Sequence, residues 1–303
     1  MKQQRTTDWY LTSKGEPRGY IDPQRLDELW FHTGTACNLE CPGCLEGSGP
    51  GDQRLDFLTR EDIAPFLTEA LDFGIRQFAF TGGEPLVNPE FVSMLSMALD
   101  LRPCLVLTNG TTPLAHRMIE LLPLLDKPNP LSFRVSLDDP DPNRHDAARG
   151  AGNFAKSLDA LGRLHRAGFG ISIARRMYQG EDAAAVDGAY APHFAAAGIP
   201  VETRIVRFPD FHPPGASPKL PEISETCMTR YLDAERRAAF MCNFSKMIVK
   251  QGGRCSVYAC TLVDDCAGYS LGSTLREAMQ ERVMLGHHRC FACFSCGASC
   301  SES

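Results

Sequence analysis

Short apolar runs and longer amphipathic stretches alternate along most of the chain. Strand-like runs at 29–32, 76–80, 104–107, 132–137, 170–174 and 202–208 are rich in β-branched or aromatic residues and bounded by Gly, Pro or polar turns. Helical patterns lie between them. Thr59, Arg60, Glu61 and Asp62 have the form of a capping box, followed by Ile63, Phe66, Leu67, Ala70 and Leu71 on one face and Gly74 as the stop. Asn88 and Pro89 open a second helix carrying Phe91, Val92, Leu95, Met97 and Leu99, since proline is tolerated in the first turn. Stretches 153–167 and 182–197 supply two more, each ending at a glycine. Six strands alternating with helices predict an α/β protein with a parallel sheet and right-handed crossovers, closed as a partial barrel or open and doubly wound.

After Pro209 the alternation stops. A proline-rich link through Pro213, Pro214 and Pro218 leads to a predicted helix over 225–240. Runs 246–250 and 256–259, separated by Gln251, Gly252 and Gly253, predict a β-hairpin, and a last helix is expected over 274–283. A boundary near 210 divides the chain into a short extension (1–28), a larger α/β unit (29–209) and a small α+β unit of hairpin plus helix (210–303).

Composition changes the picture in one respect. The 303 residues carry 43% hydrophobic and 22% charged side chains, ordinary globular values that exclude wholesale disorder. No stretch approaches the roughly 20 apolar residues of a membrane span, and the N-terminus lacks the apolar core of a signal peptide. The net charge of −6 argues against nucleic acid as a partner. These features predict a cytoplasmic protein, where thiols stay reduced, yet the chain holds 13 cysteines. That count calls for metal or redox chemistry.

The cysteines cluster. Cys37, Cys41 and Cys44 follow the first strand directly, at the strand end where both barrel and open-sheet enzymes keep their sites. Three thiolates in eight residues can hold three irons of a [4Fe–4S] cube and leave the fourth open; a zinc knuckle or three structural thiols is the plainer reading of the spacing. Gly82, Gly83, Glu84 and Pro85 end the second strand. Paired glycines allow close approach of a ligand to the backbone, and the carboxylate can meet an ammonium group.

One β-α unit apart, these two motifs resemble those of the radical S-adenosylmethionine (SAM) superfamily, whose members carry C-x3-C-x2-C after strand one and Gly-Gly-Glu-Pro after strand two. The resemblance continues through Asn109 at the third strand end, Ser136 and Asp138 at the fourth, and His145, Asp146, Arg149 and Gly150 beyond, and covers about residues 29–209. It implies a partial (β/α)6 TIM-like barrel, a [4Fe–4S] cluster on Cys37, Cys41 and Cys44, and SAM held by Gly82, Gly83, Glu84, Pro85, Asn109, Ser136, Asp138 and Arg149. Reductive cleavage would yield a 5′-deoxyadenosyl radical that abstracts hydrogen from substrate, the cofactor supplying the chemistry and the protein positioning it. Many members have an aromatic residue before the third cysteine; this chain has Gly43, so an adenine-edge contact must come from elsewhere.

The C-terminal cysteines form a second group. Cys242 and Cys260 flank the predicted hairpin, and Cys290, Cys293, Cys296 and Cys300 close the chain. Hairpin, helix and C-x2-C tail resemble the twitch and SPASM domains, which carry one and two auxiliary [4Fe–4S] clusters, and Val257 to Cys260 resembles their v-y-p-C segment. The tail is compressed relative to SPASM proteins. The resemblance implies one auxiliary cluster on Cys242, Cys260 and two tail cysteines, Cys290 and Cys293 first, with Cys296 and Cys300 in reserve. A second cluster drawing on Cys227, Cys255 and Cys266, or a zinc-binding tail, are the other readings of the spacing.

Cys104 alternates with apolar neighbours and is expected in the core. The paired His287 and His288 are expected to be solvated near a helix end, with tuning or ligation of a cluster as the other reading, Asp264 and Asp265 to form a turn or meet substrate, and Arg175 and Arg176 to meet an anionic group or solvent. The expected reaction is dehydrogenation or epimerisation of a polar small molecule, with Cys255 or Cys266 as hydrogen donor in the second case and flavodoxin or ferredoxin as electron donor. A SPASM-type peptide maturase and a non-catalytic iron–sulfur or zinc protein are the alternatives. An electron carrier would have no use for the run of polar strand ends.

Overall fold

The computed structural model describes residues 7–209, 211–212, 215–263 and 266–297. Among them, eleven strands run in chain order: β1 (Tyr20–Ile21), β2 (Glu28–His32), β3 (Gln77–Thr81), β4 (Cys104–Thr108), β5 (Leu131–Ser136), β6 (Gly170–Met177), β7 (Ile205–Pro209), β8 (Ser245–Gln251), β9 (Arg254–Tyr258), β10 (Ser270–Gly272) and β11 (Val283–Met284). Strands β2 to β7 are the six expected parallel strands, each paired with the next in register. The mixed α/β architecture is that of a partial TIM barrel. Strand β2 is buried along its whole length, as a parallel strand covered on both faces must be. Its Phe31 stacks on Phe80 of β3, with ring centroids 5.3 Å apart, and Phe80 meets Phe91 of the following helix edge-on. Cys104 is in the core, as expected.

The expected capping box is present. Thr59 caps the helix Arg60–Asp72 through the Asp62 amide, and the Asp62 carboxylate returns to the Thr59 amide. Two stretches expected as single helices are each divided in two. Gly188 and Pro192 interrupt the first, giving Ala183–Gly188 and Ala191–Ala197. The second divides into Glu225–Arg230 and Ala234–Ala238 because Asp233 caps a new start through the Arg236 amide.

The hairpin β8–β9 forms as expected, but it does not stand apart. Strand β8 adds in parallel to β2, so nine strands of the described residues make one sheet in the order β10-β9-β8-β2-β3-β4-β5-β6-β7. The C-terminal unit is thus welded to the edge that the barrel's first strand would otherwise leave unpaired. Side chains reinforce the join: Lys250 reaches Asp62 at 2.7 Å, and Glu69 accepts from the amides of Leu275 and Arg276 at the start of the helix Leu275–Gln280. Strand β1 pairs with β11, tying the N-terminal extension to the same unit. No helix among the described residues is long and apolar enough to cross a membrane.

Candidate active site

The C-terminal ends of β3 to β6, the loop after β2 and the turn after β9 surround one cavity of about 170 Å³. Its wall includes Cys37, Cys41 and Cys44 together with Gly82, Gly83, Asn109, Ser136, Asp138 and Arg149, drawn from motifs more than a hundred residues apart in the chain. Glu84 and Pro85 stand behind the wall.

The three-cysteine loop is held by the strand ends it passes. Gly83 donates to the Gly34 carbonyl and Glu84 to the Ala36 carbonyl. A Cβ on Gly83 would lie 2.3 Å from the Ala36 oxygen, and one on Gly82, whose φ is +147°, would lie 2.7 Å from the Gly34 oxygen. Both glycines are therefore required by the segment leading to Cys37, a closer and more local reason than ligand approach alone. Glu84 is buried, and its carboxylate accepts from the Thr108 hydroxyl (2.8 Å), the Asn109 amide (2.8 Å) and the Leu86 amide (3.2 Å). The carboxylate thus locks the end of β4 to the turn after β3. Burial outweighs these bonds and pushes its pKa up to about 7.

Asn109 links the strand end to the loop: its Nδ2 donates to Asn38 Oδ1 at 2.9 Å and approaches Cys37 Sγ at 3.8 Å. The Leu39 amide also donates to Cys37 Sγ, at 3.4 Å. Burial pushes the Cys37 thiol up to about 11, with Glu84 and the other two thiols adding to the rise. Cys41 is raised by burial too, while Arg149 and Arg176 pull it down. Such thiols are poor anions alone and good ligands beside a cation. N–H donors aimed at a sulfur and a set of half-buried thiols on one wall are what a thiolate-held cluster needs.

Arg149 and Asp138 form a two-point ion pair, 2.7 and 2.9 Å, that holds the carboxyl below its usual range and raises the guanidinium. His145 buttresses the pair by accepting from the Asp138 amide through Nδ1, and burial drives its pKa down to about 4. Ser136 lies on the same wall.

The two arginines ending β6 separate. Arg175 is fully buried and, although it borders the cavity, its guanidinium is engaged by Glu181 (2.6 Å) and Asp187 (2.5 Å). Arg176 turns to the cavity and donates to the Gly43 carbonyl at 3.1 Å. A Cβ on residue 43 would stand 2.8 Å from its Nη2, so the glycine before the third cysteine makes room for a guanidinium.

A second, smaller cavity lies beside the first, sharing Arg289 and Leu262 with it. Cys242, Cys260, Cys290 and Cys293 all line it. Cys242 is buried on the short helix Met241–Phe244 that precedes β8, Cys260 is buried just after β9, and Cys290 and Cys293 fall one turn apart on the helix Cys290–Cys296. Burial and the neighbouring thiols push Cys290 up to about 12 and Cys242 well above its ordinary range. Cys296 is exposed at the helix end; Cys300, like Asp264 and Asp265, lies outside the described residues. Cys255 and Cys266 are not on the wall of either cavity: Cys255 faces Asp62 and Lys250, and Cys266 is exposed. His287 and His288 are not simply solvated, for their rings stack at 4.3 Å and His287 lines the second cavity.

Arg289 escaped sequence reading altogether. It is buried, and its guanidinium donates to the carbonyls of Leu45 and His212, which joins the loop after Cys44 to the C-terminal unit. No local pattern marks such a residue, because its partners come from three distant segments.

The model of the radical SAM superfamily matches residues 31–183. GTP 3′,8-cyclase of Microcystis aeruginosa is 30% identical over 161 residues, 48% of this chain and 45% of that protein. Molybdenum cofactor biosynthesis protein 1 of Bos taurus is 28% identical over 134 residues, 44% of this chain and 21% of that protein. The chain thus spans less than half the length of these curated relatives. Among solved structures, anSMEcpe with bound AdoMet aligns over 85% of this chain and 78% of its own with a TM-score of 0.60 and 18% identity. Streptococcus suis SuiB bound to S-adenosylmethionine aligns over 78% of this chain and 60% of its own with a TM-score of 0.56 and 13% identity. Both likenesses are of fold. With the family model spanning half the chain and three thiols gathered on the cavity at its strand ends, the protein belongs to the radical SAM superfamily, an enzyme family that works with a [4Fe–4S] cluster and SAM.

Proposed function

We propose that the protein oxidises a polar small-molecule substrate by radical SAM chemistry, with an auxiliary [4Fe–4S] cluster beside the substrate cavity as electron acceptor. When bound, a [4Fe–4S] cluster and SAM supply one-electron cleavage of the sulfonium and, through the 5′-deoxyadenosyl radical, removal of a hydrogen atom from substrate. Cys37, Cys41 and Cys44 would hold that first cluster. The Leu39 amide and Asn109 Nδ2 orient the Cys37 sulfur, and Arg149 and Arg176 offset negative charge near Cys41. Asp138 and His145 keep Arg149 in place at the wall.

The observation that carries the auxiliary cluster is the cavity lined by Cys242, Cys260, Cys290 and Cys293. Four thiols spread around a cavity suit a cube of irons better than one zinc ion. Because Cys255 and Cys266 stand off the cavity, the cysteine placement supports electron removal over hydrogen return, hence dehydrogenation over epimerisation. The charged and polar wall of Asp138, Arg149, Arg176 and Asn109 supports a polar substrate. A reducing partner such as flavodoxin or ferredoxin would feed the first cluster.

The test is anaerobic reconstitution with iron and sulfide, reduction, addition of SAM, and detection of 5′-deoxyadenosine. Protein lacking Cys37, Cys41 and Cys44 should retain about four irons, one cube. A fully loaded protein that releases no 5′-deoxyadenosine under reduction would sink the reading.

A further inference from the structure

Lys246 on β8 is buried completely, at 0% exposure, beside the second cavity. Its Nζ donates to the carbonyls of Cys242 (2.7 Å) and Ser245 (2.9 Å). An ammonium has three donors, and no acceptor for the third is found among the described residues. Among the described residues no carboxylate acts on it. The ionisable groups whose charge reaches it are the thiols of Cys242 and Cys260, two of the four that line the cavity. A lysine taken wholly out of water without an anion is among the costliest arrangements a protein can hold, and side chains of this kind are almost never fully buried unless paired. As neutral thiols, Cys242 and Cys260 give it no counter-charge; as thiolates carrying a cluster, they do. A [4Fe–4S]²⁺ core with four thiolates has a net charge of about −2, and in a low-dielectric wall of Met241, Leu262, Val263 and Leu285 a cation nearby acts strongly.

We propose that Lys246 is the buried counter-cation of the auxiliary cluster and sets its reduction potential, so that the cluster is more easily reduced than its thiolate ligation alone would make it. The inference rests on the auxiliary-cluster reading. A fixed positive charge favours the more negative, reduced form of a nearby cluster and so raises its midpoint. The function it serves is electron uptake: a cluster that accepts an electron from an oxidised substrate needs the higher potential. Lys246 does this by its charge, without being one of the four thiol ligands.

The test uses full-length protein with Cys37, Cys41 and Cys44 replaced by alanine, so that one cluster remains. The reconstituted protein is titrated under controlled potential while the reduced-cluster signal is followed by electron paramagnetic resonance. Lys246→Met should load the same iron and show a lower midpoint, and Lys246→Arg should stay near the starting value. Full iron loading of Lys246→Met with an unshifted midpoint overturns the proposal and leaves the cluster reading intact. If Lys246→Met takes up no iron, the metal-free proteins decide. Metal-free Lys246→Met should melt above metal-free Lys246, since the lone buried ammonium is gone; equal or lower melting overturns the proposal. If Cys242→Ser and Cys260→Ser lower neither iron content nor the cluster signal, the cluster reading itself fails, whatever Lys246 does.

Discussion

The two cysteine-lined cavities lie side by side, yet their surroundings are built on opposite principles. Around Cys37, Cys41 and Cys44 the neighbours are polar residues at strand ends and at the end of one helix: Asn109, Ser136, Asp138, Arg149 and Arg176 all reach the wall. Around Cys242, Cys260, Cys290 and Cys293 the wall is mostly apolar, with Met241, Leu262, Val263, Val283 and Leu285, and Lys246 is sealed beside it. A polar wall with donors and acceptors to spare suits a site through which ligands come and go. An apolar wall suits a group that stays, since thiolates there are stable only when metal-bound. The difference teaches that the same residue type, cysteine, is set in one cavity against polar groups and in the other against an apolar wall, which is what the proposed division between an exchanging and a resident group requires.

The sharpest break of that comparison is Cys37→Ala. It should abolish 5′-deoxyadenosine formation, read by chromatography, while the iron bound at the second cavity stays in place. Loss of all iron would mean the two sites are not independent. Arg149→Leu leaves Asp138 unpaired in a nearly buried position. It should lower stability by about 2–4 kcal/mol in chemical denaturation, and Asp138→Asn with Arg149→Leu should recover part of that loss.

Glu84 sharpens the comparison through pH. Its folded pKa of about 7 lies above the ordinary 4.5, so its contribution to stability is fully present below about pH 4.5 and is lost as pH rises through about 7. Relative to Glu84→Gln, the metal-free protein should lose up to ~3 kcal/mol between about pH 4.5 and 7 and level off above, measured by urea unfolding at each pH. His145 acts with the opposite sign: its depressed pKa removes stability as pH falls from 6.5 through about 4, and it is common to both proteins in that comparison. The smallest effect is expected from Cys255→Ser and Cys266→Ser. Neither side chain is on a cavity wall, so 5′-deoxyadenosine yield and substrate turnover should stay within about twofold. A selective loss of substrate turnover in either variant would restore the hydrogen-donor role.

Much of the first site is readable along the chain because each motif is short and local. Cys37, Cys41 and Cys44 sit in one loop, Gly82 to Pro85 in one turn, and Asn109, Ser136 and Asp138 directly after strands whose apolar pattern is plain. Arg175 and Arg176 both border the cavity, and what distinguishes them, the pairing of Arg175 with Glu181 and Asp187 and the bond of Arg176 to Gly43, depends on segments distant from β6 or beyond its end. The breaks at Gly188 and at Asp233 show the limit of helical periodicity, since a local cap or glycine can divide a continuous apolar pattern.

Residue types and spacing alone determined the six parallel strands, the placement of three thiols at the first strand end and the run of polar residues at the following ones, because these depend on period-2 patterning and on turns a few residues long. Only the tertiary structure decided that β8 extends the barrel sheet at β2, that Cys242 and Cys260 share a cavity with Cys290 and Cys293, and that Arg289 joins the two sites. The packing also set Lys246 among thiols and kept Cys255 out of reach of the cavity. Those outcomes are pairings between distant segments, chosen by which edges and apolar faces meet when the chain closes, and no local pattern carries that information.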